Sequence, residues 1–374
     1  MSVKRVLIVG GGIGGMALAI ALERAGIAAE IVEIDKDWRV YGAGITITGP
    51  TLRALDGLGV LEAVLDEGYC YDATRICDVA GNVIMASRVS GQPMGPRIPN
   101  SGGILRPVLH RILSATTRAS GATVRLGVSV AEIAQTDAAV SVAFGDGTAG
   151  TYDLLVGADG IYSRVRDMLF PDAPKPAFTG QGCWRAVLPR PATFDCAHVY
   201  VGGVKAGITP VSQDEMYLFL LQNVPGNPRM PEDQWPALLA EQLRGFGGEL
   251  GAIREMLDPS ARINYRPLEK LLLPQPWHRG RAVLIGDAAH ATTPHLASGA
   301  GLAVEDALVL AELLASDVVA LDEALRRFTA RRYERCRMVV ENSVRLGELE
   351  MNRAPGPEQA ALQRASMMAL TEPI

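Results

Sequence analysis

Six residues near the amino terminus, Gly10 to Gly15, read GGGIGG and have the spacing of a phosphate-binding turn. An apolar run precedes them and an apolar pattern with helical spacing follows, as in a strand-turn-helix unit. In such a unit Gly10 makes the tight turn, Gly12 lets the backbone approach a pyrophosphate, and Gly15 allows close packing of helix on strand. Gly14 lies in the same turn, and the helix N-terminus faces the phosphates. The pattern therefore predicts a dinucleotide site.

A carboxylate stands where a dinucleotide site needs one. Glu33 ends the next apolar run, close to the roughly 20 residues beyond the glycines at which an acid binds a ribose diol. Glycine-rich turns are common, so the alternative is an ordinary strand-to-helix turn. Strand, helix and acid in register favour the dinucleotide site, but they leave open which dinucleotide it binds.

Three further segments place polar groups beside apolar runs. The first is Leu154 to Gly160, LLVGADG, in which Asp159 follows the apolar residues. The second is Val283 to His290, VLIGDAAH, with the small-residue stretch Ser298 to Gly301 after it. The third is Arg106, at the start of a helical pattern. An NAD-dependent dehydrogenase would leave the first two segments unexplained.

Taken in order, the GGGIGG, ADG and GDAAH elements resemble those of the single-component FAD-dependent aromatic hydroxylases, the flavoprotein monooxygenases of the para-hydroxybenzoate hydroxylase and salicylate hydroxylase type. The resemblance runs from Val6 to about Leu314. It implies an α/β fold with a Rossmann-like FAD-binding domain of the GR2 type, the para-hydroxybenzoate hydroxylase fold. An inserted mixed β-sheet substrate domain and a C-terminal helical region complete the implied architecture.

The elements that must position these residues divide the chain into three parts. The opening reads as strand (Lys4 to Val9), helix (Gly14 to Ala25) and strand (Ala29 to Glu33), a βαβ unit. From about Pro171 to Pro276, prolines and glycines become frequent and alternating strands replace this pattern. The predicted parts are a discontinuous FAD-binding domain at 1–72, 102–170 and 276–318, a substrate-binding sheet domain at 73–101 and 171–275, and a C-terminal helix and tail at 319–374.

The resemblance also implies which residues hold FAD. It assigns Glu33 to the adenosine ribose, Arg106 to the phosphates or the ribityl chain, and Asp159 to a region near both FAD and the nicotinamide donor. Beside the four glycines, the implied cofactor-binding residues are Glu33, Ile34, Arg39, Arg106, Val128, Asp159, Asp287, Ser298, Gly299, Ala300 and Gly301. The alternatives are a solvated arginine at Arg106 or Arg39 and a structural Asp-Gly turn at Asp159.

Asp287 and the small-residue stretch after it suit a flavin for physical reasons. A buried strand is predicted to end at Gly286, so Asp287 stands at the carboxyl end of the sheet, where its carboxylate can accept hydrogen bonds from ribityl hydroxyls. Ser298 to Gly301 lacks bulky side chains, so backbone can approach a flat ring. A helix predicted from about Leu302 directs its positive end there, which stabilises a reduced, anionic flavin. The alternative is an ordinary small-residue helix start.

By resemblance, NADH or NADPH reduces FAD, and a flavin hydroperoxide formed with O2 transfers one oxygen atom to an aromatic small molecule, phenolic or heteroaromatic. The protein binds this substrate over the ring, excludes water and activates an electron-rich carbon. No apolar strand precedes the stretch Gly245 to Gly248, so the nicotinamide donor is expected to have no Rossmann domain of its own. The stretch Pro294 to Gly301, PHLASGAG, departs from the usual family pattern and leaves the substrate open.

Candidates for catalysis come from the flavin loop and the second domain. His295 is predicted as an acid/base or substrate-orienting group because histidine titrates near neutrality, with a loop-capping histidine as the alternative. Arg185 is predicted to pair with a substrate carboxylate, with a solvated or domain-bridging arginine as the alternative. The predicted substrate contacts are Trp184, Tyr200, Tyr217 and Phe219, although alternation of the last two is more often that of a core.

Other functions share this scaffold. A flavin-dependent halogenase would have a WxWxIP stretch, whereas Cys183 to Pro189 reads CWRAVLP, with alanine at the second tryptophan position. An oxygenase of a polyketide, a tetracycline-like compound or a quinone stays open because one fold serves all of them. A non-catalytic carrier that has lost FAD is disfavoured by the intact GGGIGG turn, Glu33 and Asp287.

Composition sets limits on partners and location. The net charge of -5, with no basic stripe, argues against nucleic-acid binding. The chain has no apolar run of the roughly 18 residues that a membrane span needs and no signal-peptide pattern, so a cytoplasmic protein is expected. The 5 scattered cysteines lack metal-ligand spacing, which predicts reduced thiols and no metal site. A helix predicted at Leu321 to Glu350 could pack on its own core or on a second subunit of a homodimer.

Overall fold

Two large sheets dominate the described part of the chain. The computed structural model describes residues 3–40, 42–88, 94–95, 97–258, 260–316 and 320–374. Within them the strands are β1 (Arg5–Val9), β2 (Ala28–Glu33), β3 (Gly44–Thr48), β4 (Tyr69–Tyr71), β5 (Ala73–Cys77), β6 (Val83–Arg88), β7 (Ser101–Leu105), β8 (Thr123–Leu126), β9 (Val130–Gln135), β10 (Val140–Phe144), β11 (Ala149–Tyr152), β12 (Leu154–Gly157), β13 (Ala177–Pro189), β14 (Ala197–Tyr200), β15 (Lys205–Pro210), β16 (Glu215–Asn223), β17 (Arg262–Lys270), β18 (His278–Arg279) and β19 (Ala282–Leu284). The α-helices are α1 (Ile13–Arg24), α2 (Gly49–Gly57), α3 (Leu61–Glu67), α4 (Arg106–Ala119), α5 (Arg164–Leu169), α6 (Trp235–Gln242), α7 (Gly248–Met256), α8 (Asp287–His290), α9 (Gly299–Leu314), α10 (Leu321–Met351) and α11 (Gly356–Thr371).

The six-stranded sheet contains the predicted βαβ unit. Its strand order is β18-β19-β12-β1-β2-β8, and all neighbours pair in parallel except β18 with β19. Val9 pairs with Gly157, and Gly157 pairs with Leu284, so β1, β12 and β19 end at the same edge. These strands are largely buried, which is why the sequence reads there as apolar runs. The three turns that follow them therefore lie side by side.

Small residues let two helices approach each other at this edge. A Cβ added at Gly14 of α1 would lie 3.3 Å from the Cβ of Ala303 in α9. The Leu302 N–H donates to the Ser298 carbonyl oxygen (2.9 Å), so α9 begins at Gly299. This corrects the predicted start near Leu302: the glycine- and alanine-rich stretch is the first turn of the helix and not a loop.

The seven-stranded sheet has the order β17-β13-β16-β15-β14-β5-β6 and two different faces. Side chains alternate between the faces along each strand. On one face, Trp184, Leu218 and Tyr200 form a core with Leu239 of α6 and Leu250 of α7. This helix-covered face is buried inside the second domain.

The other face of this sheet is directed toward the first domain. Val187 and Tyr217 pack there against Ala43, with Leu105 and Phe219 beside them. The three-stranded sheet β3-β7-β4 lies in the same region, because the strand β7 approaches the end of β15 closely. We refer to this surface as the inner face of the large sheet.

The C-terminal region is helical to its end. Helix α10 matches the predicted helix, but the predicted tail contains a second helix, α11. Prolines at its start, Pro355 and Pro357, have the fixed φ that suits a helix N-terminus. Met367 and Leu370 of α11 join the main core, and Arg53 of α2 donates to the carbonyl oxygen of Thr371 (2.6 Å). Tertiary packing therefore stabilises a helix that the interrupted sequence pattern hides.

The strands follow the predicted division of the chain. The large sheet takes β5 and β6 from 73–101 and its other strands from 171–275, while the six-stranded sheet takes its strands from outside these stretches. The exact domain boundaries stay a prediction.

Among the described helices, none has both the length and the apolar character needed to cross a membrane. The cysteines carry unpaired thiols.

Candidate cofactor and active site

The glycine turn after β1 is tightly packed at two positions and accessible at a third. Gly10 has a φ of 108°, and a Cβ there would lie 2.5 Å from the Ala158 carbonyl oxygen. A Cβ at Gly15 would lie 2.0 Å from the Gly10 carbonyl oxygen. At Gly12, by contrast, no heavy atom of the described residues lies within 4 Å of the Cβ position. The turn therefore holds α1 against β1 and leaves the Gly12 backbone open to a ligand.

Glu33 closes the carboxyl end of β2 beside this turn. Its carboxylate accepts hydrogen bonds from the backbone N–H groups of Gly11 (2.7 Å) and Asp35 (2.8 Å). The Val128 N–H donates to the Glu33 carbonyl oxygen (2.9 Å), and the neighbouring Ile34 side chain is 69% exposed. The structure thus brings Glu33, Ile34 and Val128 together at the end that the resemblance assigns to adenosine.

Arg39 lies in an exposed acidic loop near that end. Its guanidinium pairs with the Asp35 carboxylate (3.0 Å) and lies 3.6 Å from the Asp37 carboxylate. A backbone hydrogen bond from Asp37 lowers the pKa of Asp35, against some burial, so the loop keeps its negative charge. The predicted contact of Arg39 with the cofactor stays a prediction.

Asp159 fixes the turn after β12. The Ser163 hydroxyl and the Val165 N–H donate to its two carboxylate oxygens, and Ser163 in turn caps α5 by accepting from the Arg166 N–H (2.9 Å). Burial raises the pKa of Asp159, while these hydrogen bonds oppose the shift. Because both oxygens bind the protein, the carboxylate has the geometry of the structural Asp-Gly turn, and its loop supports Gly10.

The side chains of Asp287 and Arg106 contact solvent, although protein surrounds them. Both are exposed, and among the described residues neither side chain makes a hydrogen bond or close ion pair. Desolvation raises the pKa of Asp287, although His290 and Arg106 oppose it. Desolvation, followed by repulsion from Arg185, lowers the pKa of Arg106. Solvent contact combined with a protein-lined environment is typical of the wall of a cleft. Asp287 follows β19 of the six-stranded sheet, and the charge of Arg185 in the large sheet acts on Arg106.

The first turn of α9 forms another wall of this region. A Cβ at Gly301 would lie 2.3 Å from the Thr51 hydroxyl oxygen, and one at Gly299 would lie 3.2 Å from Thr292. Gly301 is thus needed for packing against α2. The Ser298 hydroxyl donates to the Leu296 carbonyl oxygen (2.7 Å), and Ala300 is only half-buried. The free N–H groups at the start of this helix give the wall a positive end.

Arg185 and Tyr217 meet on the inner face of the large sheet. Burial raises the pKa of Tyr217, and the neighbouring Arg185 and Thr46 side chains oppose this shift. A Cβ at Gly44 would lie 2.6 Å from the Tyr217 ring, so glycine lets the ring lie flat on β3. The positive charges of Arg185 and Arg106 exceed the single negative charge of Asp287. The cleft therefore has a net positive charge, which suits an anionic group.

The four predicted substrate contacts lie on two different faces of the large sheet. Tyr217 and Phe219 lie on the inner face with Arg185. Trp184 and Tyr200 lie on the opposite, helix-covered face, where each is at most 1% exposed. Their placement in that core corrects the prediction that they contact the substrate. Strand alternation explains the difference, because Trp184 and Arg185 are adjacent and must point to opposite sides.

His295 is buried, and each of its ring nitrogens has a polar neighbour. Its Nδ1 lies 2.9 Å from the Thr293 hydroxyl, and its Nε2 lies 3.2 Å from a Glu350 carboxylate oxygen in α10. Burial alone would raise the pKa of Glu350, but Lys205 and His295 hold it at about 2. The His295 side chain is 1% exposed, so the structure favours the loop-capping alternative over the predicted catalytic role.

A buried charge network supports the turn before Asp287. Asp306 of α9 accepts hydrogen bonds from the Gly286 N–H (2.9 Å) and the Arg332 guanidinium (2.8 Å), and lies 2.6 Å from His290. Burial alone would raise the pKa of Asp306, but His290 and Arg332 hold it at about 2. The Cys336 sulfur lies within 4.8 Å of the ligand atoms of His290 and Asp306. Arg332 already neutralises Asp306 and would repel a metal ion at this cluster.

Arg166 is a further supporting residue that the sequence did not single out for a role. Its side chain is 1% exposed and donates to the carbonyl oxygens of Ala288 (3.0 Å) and Ile161 (2.8 Å). It therefore joins the turn after β12 to the short helix that begins at Asp287. Its position just after the ADG element indicates that it lies near the site. Its contact with Ala288 could not be predicted from local sequence, because the two residues are distant along the chain.

Comparison with known proteins establishes the family. A family model described as FAD binding domain matches residues 4–343, and the chain belongs to this family. The chain is 34% identical to aurachin C monooxygenase/isomerase of Stigmatella aurantiaca, over 92% of this chain and 89% of the relative. It is also 34% identical to 2-heptyl-3-hydroxy-4(1H)-quinolone synthase of Pseudomonas aeruginosa strain PAO1, over 82% of this chain and 80% of the relative.

Solved structures agree with this assignment at the level of the fold. HpxO of Klebsiella pneumoniae, solved with FAD and uric acid, has a TM-score of 0.84, with 24% identity and coverage of 99% of this chain and 93% of that one. The predicted fold class, the FAD cofactor and the flavoprotein monooxygenase class are confirmed. The residues present fit FAD: an accessible Gly12 backbone, Arg106 and Asp287 line one protein-walled region.

Proposed function

We propose that this flavoprotein monooxygenase hydroxylates an aromatic small molecule in the cleft between the inner face and the glycine turn. The observation that carries the proposal is the placement of Arg106 and Asp287, which are accessible and enclosed by protein; Arg106 interacts electrostatically with Asp287 and with Arg185. FAD, when bound, supplies the hydride and oxygen chemistry, with NADH or NADPH as donor. The chain's own residues bind, orient and shield the reactants.

Each part of the cleft has a distinct task. The Gly12 backbone and the start of α1 bind the pyrophosphate, Arg106 neutralises it, and Asp287 accepts hydrogen bonds from ribityl hydroxyls. On the opposite wall, the Arg185 guanidinium stabilises an anionic, phenolate-like substrate. Tyr217 and the apolar residues beside it exclude water from the aromatic ring.

A heteroaromatic substrate is favoured over a simple phenolic acid. One relative is named as a quinolone synthase, and the neighbouring structure contains uric acid, which is also a nitrogen heterocycle. The inner face supports this assignment because its apolar residues, Val187, Val211, Tyr217 and Phe219, lie beside the half-buried Arg185. A cytoplasmic location and a homodimer stay predictions that follow from composition and from the exposed part of α10.

The direct test is substrate-stimulated oxidation of NADH and NADPH by the purified yellow protein. The panel contains quinolones, hydroxypyridines, purines and hydroxybenzoates, with product mass and peroxide measured together. We expect a heteroaromatic compound to accelerate oxidation and to gain one oxygen atom. A protein that stays colourless after incubation with FAD would contradict the proposal, and a product from hydroxybenzoates alone would replace the favoured substrate class.

Replacement of Asp287 tests the cofactor half of the cleft. An Asp287→Ala variant is expected to raise the Kd for FAD about 10- to 100-fold, because hydrogen bonds to a charged group contribute about 1.5–3 kcal/mol. Flavin fluorescence titration of the apoprotein measures this Kd. The matched control is Asp66→Ala, which removes an exposed carboxylate on α3 and should leave the Kd unchanged. Equal affinities of the two variants for FAD would show that Asp287 does not bind the cofactor.

Replacement of Arg185 tests the substrate half. An Arg185→Met variant is expected to bind FAD within about 2-fold of wild type but to lose about 30- to 100-fold in kcat/KM, the value of a charge-assisted contact of about 2–3 kcal/mol. Arg185→Lys should recover only part of this, since lysine lacks the planar fork. Arg244→Met is the control, because this exposed arginine follows α6 on the helix-covered side of the same sheet. A loss of FAD affinity as large as the loss of kcat/KM would place Arg185 in the cofactor site instead.

A further inference from the structure

Trp38 occupies a strained position beneath the glycine turn. It lies in the loop after β2, has a φ of 50° and is 7% exposed. A positive φ costs a bulky residue energy, so surrounding contacts must hold the backbone there. The ring meets His110 of α4 edge to face at 5.6 Å, and the Arg118 guanidinium lies 5.0 Å from its centroid. These contacts fix the indole in one orientation.

That orientation directs the indole nitrogen at the glycine turn. Trp38 Nε1 donates a hydrogen bond to the Gly11 carbonyl oxygen (2.8 Å). On the other side of the same residue, the Glu33 carboxylate accepts from the Gly11 N–H (2.7 Å). Two side chains therefore fix both polar groups of Gly11. A Cβ added at Gly11 would lie 2.5 Å from Trp38 Nε1, so glycine is also required for this contact.

The residue fixed in this way immediately precedes the accessible part of the turn. The Gly11 carbonyl carbon is bonded to the Gly12 nitrogen, so the orientation of the Gly11 carbonyl sets the direction of the Gly12 N–H. The N–H groups at the start of α1 have no partner within the helix and are available to an anion. A rotation of this peptide would turn the Gly12 N–H away from the ligand.

We propose that Trp38 is a positioning residue that orients the Gly11–Gly12 peptide for the pyrophosphate of an adenine dinucleotide. This inference rests on the proposed FAD site. Trp38 acts through its N–H group, and it determines how tightly the dinucleotide is held rather than how fast the bound flavin reacts. Loss of the N–H leaves the Gly11 carbonyl unpaired and the peptide free to rotate.

Trp38→Phe keeps an aromatic ring beside His110 and Arg118 and removes the N–H donor together with part of the bulk of the indole. We expect the Kd for FAD to rise about 5- to 10-fold, by flavin fluorescence titration, while kcat at saturating FAD stays within about 2-fold of wild type. Trp235→Phe is the matched control, because Trp235 Nε1 donates to the Met230 carbonyl oxygen (3.0 Å) in the second domain. Its Kd for FAD should equal that of wild type.

A double-variant cycle makes the test independent of general destabilisation. Gly11→Ala should also raise the Kd for FAD, and Gly11→Ala with Trp38→Phe should raise it less than the product of the single effects, because both act on one peptide. Unchanged affinity in Trp38→Phe, an equal loss in Trp235→Phe, or strictly multiplicative effects would overturn the inference. If the wild-type protein takes up no FAD, it is the proposed function that fails.

Discussion

A Gly12→Ala variant is expected to fold normally and to bind FAD about 10- to 100-fold more weakly than wild type. Gly12 has a φ of -76°, which alanine adopts without strain, and within the described residues no heavy atom would contact its Cβ. The added methyl group would instead stand where the pyrophosphate approaches the backbone, at an overpacking cost of about 1–3 kcal/mol. The measurements are the melting temperature without FAD and the Kd for FAD.

Gly15→Ala is the counterpart that separates binding from folding. Its Cβ would lie 2.0 Å from the Gly10 carbonyl oxygen, so α1 would have to move away from β1. We expect the apoprotein to lose about 3 kcal/mol or more in free energy of unfolding and to bind FAD poorly as a consequence. An unchanged Kd for FAD in Gly12→Ala, or a lower apoprotein melting temperature in that variant, would contradict the placement of the phosphate at Gly12.

Arg332→Met is expected to lower the free energy of unfolding by about 3–5 kcal/mol, because it removes a buried cation from the two buried carboxylates of Asp306 and Glu305. Arg332 is fully buried and pairs with both Asp306 (2.8 Å) and Glu305 (2.8 Å). Denaturant titration measures the change. Arg331→Met is the control: this neighbouring arginine pairs with exposed Glu312, and its loss should cost about 0–1 kcal/mol.

The same network predicts an acid dependence. The folded-state pKa of Asp306 is about 2 and its ordinary value is 3.8, so its contribution is fully present above about pH 4 and disappears as the pH falls toward 2. The free energy of unfolding of the wild type should therefore rise between pH 2 and pH 4. Arg332→Met should show a smaller rise over this range. Parallel pH profiles for the two proteins would show that Arg332 does not hold the Asp306 pKa down.

The glycine turn, Glu33 and Asp287 could be predicted from sequence because local patterns determine their positions. A turn after an apolar strand and an acid at the end of the next strand need only one βαβ unit. The edge on which Asp287 lies follows from the parallel order of the strands, which the apolar runs indicate. These are features in which spacing along the chain and position in the sheet are directly linked.

The orientation of other residues depends on contacts that are distant in sequence. Alternation shows that Trp184 and Arg185 face opposite sides, but it does not show which side the helices α6 and α7 cover. His295 turns toward Glu350 because α10 packs on its loop, and no local pattern reports that contact. The contact of Trp38 with the glycine turn could not be predicted, because a single tryptophan in a loop belongs to no periodic pattern.

The three turns of the proposed cofactor site follow β1, β12 and β19, which meet at one sheet edge from widely separated parts of the chain. An unfolded chain therefore lacks this arrangement, and we expect FAD to bind only the folded protein. By mass action, free FAD at 100 times its Kd adds about 2.7 kcal/mol to stability. Variants with different FAD affinities will therefore differ in melting temperature even when their apoproteins are equally stable, and stabilities are comparable only without FAD or after correction for occupancy.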